Sequence, residues 1–439
     1  MTTLLAFLFV LGVLVFVHEL GHFLAARRLG VRVLTFSLGF GPKLLKTKRG
    51  DTEYCVSLIP LGGYVKMAGE SPDDPRSGAP DEFMSKTKWE RFQVLIAGPA
   101  MNLILAVVVL AGVFMQGAEV PAYQDELPVI GAVVGGGPAD RAGLRSGDRI
   151  LTVSGEPVDT WDKVFMEVGT RPERDLSLTL LRDDRTVNAT VRAQSTTRYE
   201  IGDIGVLPNA RPYVQSVVPN DPADKAGIKA GDKALAVNGK PVVNRTQFAD
   251  AIAGNGGKQI DILVLRGSEE VHINVVPEQR GERAMIGISI SEASKTFQPG
   301  PWEAVALSVQ RNIEGSDLIF RTLGGLFVGE TSIKQLQGPV AIAQLSGESL
   351  AISWMALFGL MATLSLNLGI LNLLPIPMLD GGHILIMGLE GIARRDFSMA
   401  VKEKMLLAGF VLILMLMVTV IYNDLTRISW IEGLMPWRN

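Results

Sequence analysis

The sequence has few of the residue types that most often bind transition metals. Cys55 is the only cysteine among 439 residues, which excludes an intramolecular disulfide and a zinc site built on cysteines. Only four histidines are present, so a metal site must combine histidine with carboxylate ligands. The formal net charge is −3 and no basic tract with interleaved aromatic residues occurs. A nucleic-acid partner is therefore excluded.

Long apolar runs, in contrast, are common. Apolar residues make up 47% of the chain, and four runs come near the length of about 20 residues that crosses a bilayer. These runs cover residues 4–26, 94–116, 352–374 and 405–421. The sequence therefore predicts a multi-pass α-helical membrane protein with about four transmembrane helices.

The distribution of basic residues predicts the orientation of these spans. Twelve Lys and Arg residues lie between the first two spans and four more lie between the last two, whereas only Arg427 and Arg438 follow the fourth. Loops rich in Lys and Arg tend to stay in the cytoplasm. We therefore expect both termini, and the long segment near residues 119–300, to lie on the opposite side of the membrane.

The first apolar run contains a pattern that is typical of metal-dependent hydrolases. Glu19 is the only charged residue between Leu4 and Ala26, and His18 and His22 are four residues apart. That spacing places both imidazoles on one helix face, where they bind zinc in HExxH sequences, while the glutamate serves as general base toward water. Ionisable groups at membrane depth are costly and usually mark a functional site. The sequence thus predicts a Zn²⁺ site.

A catalytic zinc usually has three protein ligands, so one more is required. His272 lies in the long extramembrane segment, where we expect an ordinary surface or strand residue. Asp380 and His383 follow the third span, after Pro375 and Pro377 break its helix. Asp380 is the better ligand candidate. His383 is either an outer neighbour of the metal site or a packed residue near a helix start.

The extramembrane segment contains an internal repeat. The sequence PADRAGLRSGDRILTVSGEPV from Pro138 recurs as PADKAGIKAGDKALAVNGKPV from Pro222, an offset of 84 residues. The pattern resembles bacterial PDZ domains, which bind an extended peptide at a sheet edge and its carboxylate at a glycine-containing loop. Residues 205–207 and 287–289 are candidates for such loops. The repeats either bind peptide C-termini or act as a bulky filter.

A segment after the second repeat is predicted to be an amphipathic helix on the membrane surface. It is too polar to span, and its apolar residues follow a helical stripe: Trp302, Val305, Val309, Ile313, Leu323 and Leu326. We expect this helix to contact membrane lipid.

A shorter apolar segment, residues 53–67, is predicted to form a β-hairpin that dips toward the metal site. Pro60, Gly62 and Gly63 interrupt it, and it is too short to span. Its edge would pair with an unwound substrate by strand addition, with Ile59, Gly62 and Gly63 as substrate contacts. The alternative is a cytoplasmic loop that only stabilises the fold.

Taken together, HELGH in the first span, NxxPxPxLDGG at the third and two PDZ-like repeats resemble the site-2 protease family of intramembrane zinc metalloproteases. The resemblance covers nearly the whole chain. It implies that His18, His22 and Asp380 bind zinc and that Glu19 is the catalytic base. It also implies substrate handling by the residues of the Asn- and Pro-containing motif, which are Asn367, Asn372, Pro375 and Pro377.

The resemblance implies a location in the bacterial inner membrane and a second cut in single-pass membrane proteins. The expected substrates are an anti-sigma factor already trimmed by another protease, whose cleavage activates an envelope stress response, and remnant signal peptides. The alternative is a membrane-anchored PDZ scaffold without proteolysis. The expected domains are 1–118 (two spans and the hairpin), 119–205 and 206–295 (PDZ), 296–350 (surface helix) and 351–439 (two spans).

Overall fold

The computed structural model describes residues 2–70, 77–195, 201–281, 283–292, 294–329, 331 and 336–426. Arg427 and Arg438, which entered the prediction of orientation, lie outside these residues. The chain divides into two compact units. The first unit comprises residues 1–117 and 298–439, and the second comprises residues 118–297. Each unit has its own hydrophobic cores.

The first unit is mainly helical and the second is mainly β-structure. The helices, in chain order, are α1 (Thr2–Arg28), α2 (Lys88–Met115), α3 (Pro138–Arg141), α4 (Trp161–Gly169), α5 (Pro222–Ala226), α6 (Arg245–Ala253), α7 (Pro301–Phe327), α8 (Pro339–Ile352), α9 (Trp354–Leu373), α10 (Asp380–Ala393) and α11 (Met399–Thr426). The strands, in chain order, are β1 (Val33–Arg49), β2 (Thr52–Met67), β3 (Ala118–Pro121), β4 (Ile130–Val133), β5 (Arg149–Val153), β6 (Glu156–Pro157), β7 (Asp175–Arg182), β8 (Arg185–Arg192), β9 (Gln194–Ser195), β10 (Gly202–Asp203), β11 (Val206–Pro208), β12 (Pro212–Val217), β13 (Lys233–Val237), β14 (Lys240–Pro241), β15 (Ile260–Arg266), β16 (Glu269–Val275), β17 (Glu278–Arg280), β18 (Arg283–Met285), β19 (Ile288–Glu292) and β20 (Ser294–Phe297).

Four helices are long and apolar enough to cross a membrane: α1, α2, α9 and α11. They coincide with the four spans expected from the sequence. Local signals fix two of their ends. The side chain of Thr87 caps the start of α2 in a capping box with Glu90, and α1 ends on Arg27 and Arg28, whose charges favour a helix C-terminus.

Helix α2 packs against both α1 and α9, and glycines bring the helix backbones close together. A methyl group on Gly21 of α1 would lie 2.7 Å from the carbonyl carbon of Ala97 on α2. A methyl group on Gly369 of α9 would lie 2.8 Å from Cδ2 of Leu103, also on α2. Apolar burial gives little driving force between helices in lipid, so close packing at small residues stabilises their association. These glycines set the helix spacing around the candidate site.

Strands β1 and β2 form a small sheet in which β1 contacts two parts of β2. Phe36 of β1 lies opposite both Val65 and Tyr54 of β2, so the first half of β1 has a neighbour on each side. The segments follow one another across the sheet in the order 63–67, 33–38, 52–59, 43–49. The segment predicted as a separate hairpin is therefore part of a sheet that also requires β1. The sequence reasoning missed β1 because its Gly- and Lys-rich second half lacks regular alternation.

Helix α7 contains the predicted apolar stripe, and that stripe faces away from the protein. The exposed fractions are 87% for Trp302 and 65% for Ile313, whereas Ala304 and Ser308 on the other face are completely buried. A methyl group on Gly315 would lie 2.9 Å from Leu366 of α9, so α7 packs on the spanning helices through small residues. The next helix, α8, was not anticipated from the sequence.

The second unit repeats one series of elements at the offset of 84 residues seen in the sequence. Helix α4 begins at Trp161 and α6 at Arg245, and strands β5 and β13 begin at Arg149 and Lys233. In each copy a short helix starts at the proline of the PAD sequence, Pro138 or Pro222 in chain order. The two copies have separate cores, so each repeat folds around its own buried residues.

An ion pair is conserved between the two copies at the same offset. Arg182 binds the buried carboxylate of Asp148, and Arg266 binds that of Asp232 in the same way. Burial raises the pKa of Asp232, but hydrogen bonds from Arg266 and from the backbone N–H of Lys229 outweigh it and lower the pKa below its usual value. Each carboxylate thus connects its β-sheet to the preceding loop.

Candidate metal centre

Three side chains converge in the first unit although they are far apart in sequence. Nε2 of His18 lies 3.2 Å from Nε2 of His22 and 3.3 Å from Oδ2 of Asp380. Nε2 of His22 lies 3.5 Å from Oδ1 of Asp380. Among the described residues these three form a group of potential metal ligands, with their ligand atoms within 4.8 Å of one another. The structure thus brings together the three residues that the sequence singled out as ligands.

Asp380 reaches this position because the chain stops being helical just before it. Helix α9 ends at Leu373 and α10 begins at Asp380, with Pro375 and Pro377 in the connection. A methyl group on Gly382 would lie 2.6 Å from Cα of Pro377. Only glycine therefore lets the start of α10 fold back on this connection. The same turn contains Met378 at φ 88°, a strained conformation for a residue with a side chain.

Helix α2 orients His22. The Nδ1–H of His22 donates to the backbone carbonyl of Val94 at 2.8 Å, which leaves the lone pair of Nε2 facing Asp380. Gly98, one turn further along α2, provides the space for the ring, because a methyl group there would lie 2.6 Å from Cε1 of His22. Metal-binding histidines usually donate their second ring N–H in this way. The sequence reasoning assigned no role to Val94 or Gly98.

The geometry fits a zinc ion. A tetrahedral centre with bonds of about 2.0–2.2 Å places its ligand atoms about 3.3 Å apart. The two Nε2 atoms lie 3.2 Å apart, and they lie 3.3 and 3.5 Å from the two different carboxylate oxygens of Asp380. One ligand atom from each of the three residues lies within 4.8 Å of the others. Imidazole nitrogen and carboxylate oxygen are common zinc ligands, and three of them leave a fourth position for water or substrate. The donor set and its spacing therefore match a catalytic rather than a structural zinc site.

Glu19 lies next to this group and against the small sheet. Its carboxylate is within electrostatic range of His18, His22 and Asp380, and it interacts with the backbone N–H of Val65 in β2. A methyl group on Gly63 would lie 3.1 Å from Cγ of Glu19. Glu19 therefore bridges the candidate metal centre and the β2 segment that carries Gly63.

The other candidate residues are not members of this group of potential ligands among the described residues. Asn367 and Asn372 are half-buried on α9, about 140° apart around the helix axis, so they face different directions.

The candidate substrate contacts of β2 lie at its bend, where Ile59 is 47% exposed. Gly62 adopts φ 96° at the bend of β2, beside the ring of Phe40. Pro375 is exposed, and Pro377 packs against Gly409 of α11.

The two remaining histidines lie outside the group. His272 is an exposed residue of β16 paired with Asp261 at 2.8 Å, as expected of a surface strand residue. His383 lies one turn after Asp380 in α10 and is not among the converging ligands of the described residues. Its exposed side chain favours neither of the two roles considered from the sequence.

Comparisons with known proteins agree with this chemistry. The model of "Peptidase family M50" matches residues 6–416. A Vibrio cholerae protein, named provisionally as a zinc metalloprotease, is 34% identical and covers 97% of this chain and 98% of its own length. Two relatives named "Regulator of sigma-E protease RseP", from Salmonella typhimurium and Escherichia coli K12, are 32% and 31% identical, respectively. Each alignment covers 97% of this chain and 98% of the relative. The chain therefore belongs to peptidase family M50, and its resemblance to the site-2 proteases is confirmed.

Proposed function

We propose that this protein is an intramembrane zinc endopeptidase that cleaves single-pass membrane proteins. One observation carries the proposal: His18, His22 and Asp380 converge at zinc-ligand spacing beside Glu19. Two of the ligands and Glu19 belong to α1, a helix that is apolar enough to cross a membrane. A non-catalytic scaffold or a membrane anchor would not require three metal-ligating side chains beside a glutamate.

In this mechanism Glu19 moves the protons. Zinc held by His18, His22 and Asp380 would supply a Lewis acid that polarises the scissile carbonyl and lowers the pKa of water. Glu19 accepts a proton from the attacking water and then delivers it to the leaving amine. Its side chain lies against Gly63 of β2, where we expect a substrate carbonyl to arrive.

Substrate would bind along the edge of the small sheet. Among the described residues no strand pairs with the outer side of segment 63–67, and Gly63 in this segment touches Glu19. A membrane helix must unwind before its carbonyls are accessible, and its freed backbone groups then need partners. An added strand would satisfy them, with Ile59, Gly62 and Gly63 near the entrance and Asn367, Asn372, Pro375 and Pro377 on the helical side.

The second unit would control which substrates reach the edge. Its two copies carry the PDZ-like signature, with candidate carboxylate loops at residues 205–207 and 287–289. Either a groove captures a newly exposed C-terminus, or the two repeats exclude proteins with large extracytoplasmic domains. Both modes favour a substrate that another protease has already trimmed.

The biological role that we propose follows the relatives. Several are named regulators of sigma-E protease, so an anti-sigma factor is the substrate we propose first, and its cleavage would activate an envelope stress response. Remnant signal peptides are a second class. The distribution of Lys and Arg supports a place in the bacterial inner membrane, with both termini and the second unit in the periplasm and the metal centre toward the cytoplasm.

The test compares wild type with Glu19→Gln in detergent. Bound zinc is measured in both, and both are incubated with a tagged single-span substrate. Zinc in both proteins with cleavage only by wild type is the expected result, since glutamine preserves the shape but accepts no proton. Zinc-free wild type, or equal cleavage by both, would favour the scaffold alternative.

A further inference from the structure

Asn102 on α2 is a polar neighbour of His18 outside the ligand group. Its side chain is completely buried, and its carboxamide nitrogen lies 3.2 Å from Nδ1 of His18. The other carboxamide atom, Oδ1, is buried and has no hydrogen-bond partner among the described residues. A buried amide oxygen without a partner costs about 1–3 kcal/mol, so this arrangement calls for an explanation.

A rotation of the carboxamide by 180° gives its oxygen a hydrogen-bond donor. The amide oxygen and nitrogen occupy nearly equivalent positions, and the surrounding hydrogen bonds decide between them. With the oxygen facing the ring, Oδ1 accepts from Nδ1–H of His18, and the lone pair of Nε2 faces Asp380 and His22. With the nitrogen facing the ring, Nδ1 must accept and Nε2 carries the proton, which prevents Nε2 from binding a metal.

Helix α2 already performs this task for the other histidine. Val94, Gly98 and Asn102 are spaced by four residues and therefore lie along one face of α2. Val94 accepts from Nδ1–H of His22, and Gly98 leaves space for that ring. One turn further, the carboxamide of Asn102 contacts the same ring nitrogen, Nδ1, of His18.

Asn102 is also fixed in position by the third spanning helix. The hydroxyl of Ser365 on α9, completely buried, donates to the backbone carbonyl of Asn102 at 2.7 Å. The contact holds the backbone of Asn102 but leaves its carboxamide free to turn. The packing of α2 on α9 therefore determines where the carboxamide meets His18.

We propose that Asn102 is a positioning residue that accepts the Nδ1–H of His18 and so keeps Nε2 of His18 available for zinc. The inference deepens the proposed function and depends on its zinc site. It assigns Asn102 no contact with substrate. It attributes the effect of Asn102 to the tautomer of His18 and not to the volume that the side chain fills.

Three variants separate these roles in the full-length protein in detergent. Asn102→Leu keeps the volume and removes the acceptor, Asn102→Asp keeps the acceptor and removes the amide donor, and Ser365→Ala breaks the contact between helices without changing the carboxamide. For each, the zinc dissociation constant is measured by chelator competition, the Co²⁺ complex by visible absorption, and thermal unfolding by the loss of helical circular dichroism.

We expect Asn102→Leu to weaken zinc binding about 10- to 100-fold, the usual effect of losing an outer hydrogen-bond partner of a metal ligand. Its Co²⁺ spectrum should also change. Asn102→Asp should bind zinc within about threefold of wild type, because a carboxylate accepts from Nδ1–H. Ser365→Ala removes one hydrogen bond but keeps the close packing of α2 on α9 at Gly369, so it should lower the unfolding temperature while keeping the zinc affinity. Asn102→Ala provides the acceptor-free comparison if the leucine variant does not fold.

Two results would overturn the inference. Unchanged zinc affinity in Asn102→Leu would reduce Asn102 to a packing residue, and equal weakening in Asn102→Leu and Asn102→Asp would show that the amide donates. Failure of the proposed function looks different, because wild type itself would then bind no zinc with useful affinity.

Discussion

Substitution of Gly98 by alanine tests whether α2 controls the metal centre. The added methyl group would lie 2.6 Å from Cε1 and 2.8 Å from Cδ2 of His22, compared with 3.4 Å for ordinary contact. The ring must therefore move by about 0.8 Å or more, whereas metal–ligand distances tolerate about 0.2 Å. The hydrogen bond from the ring to the carbonyl of Val94 opposes any such movement.

We expect Gly98→Ala to lose zinc affinity and about 100-fold in kcat/KM, the effect of an error of about 1 Å in the position of a catalytic group. Gly112→Ala is the matched control, because Gly112 lies in the same helix and a methyl group there would meet nothing within 4 Å. Zinc content and cleavage of a tagged single-span substrate are measured for both. Activity of Gly98→Ala within twofold of Gly112→Ala would refute the reasoning.

Two further predictions concern the fold. Asp424 on α11 accepts hydrogen bonds from three backbone N–H groups at the start of α8. Asp424→Ala should therefore lower the unfolding temperature in detergent, because it removes about 1.5–3 kcal/mol from the free energy of unfolding. Asp424→Asn should cause a smaller loss. The pKa of Asp232 is lower in the folded than in the unfolded state, so ionised Asp232 stabilises the folded second unit at pH values above its unfolded pKa of about 3.9. This stabilisation is lost as the pH falls through the lower folded pKa. The protection of β13 amides from hydrogen exchange, relative to their intrinsic rates, should therefore fall below about pH 4 in wild type, whereas Asp232→Asn should show weaker protection already at pH 6 and depend less on pH.

The candidate ligand side chains could be predicted from the sequence because rare residues and helical spacing limit the choices. Four histidines leave few combinations, and only His18 and His22 have the spacing of a helix face. Asp380 was selected by its position after a helix break, which the structure places at Leu373. Residue type, helical spacing and a local helix break were sufficient for these predictions.

The parts that orient the ligands could not be found in the same way. Val94 acts through its backbone carbonyl, which any residue would supply, and Gly98 is required only because His22 packs against it. Asn102 has no local partner and meets His18 through the packing of two helices. Strand β1 is defined by its pairing with β2. Each of these features depends on tertiary contacts, which a single sequence does not encode locally.

Helix packing and the geometry of the metal centre depend on the same residues. Gly21 and Gly369 allow α2 to approach α1 and α9, and that approach brings the carbonyl of Val94 within 2.8 Å of His22 and the amide of Asn102 within 3.2 Å of His18. Since small residues provide much of the association between membrane helices, a substitution that separates these helices also removes the orienting contacts. The stability of the helix bundle and the affinity for zinc should therefore fall together when the packing glycines change. They should separate in variants that leave the helix spacing intact, such as Asn102→Leu, which loses zinc affinity without separating the helices.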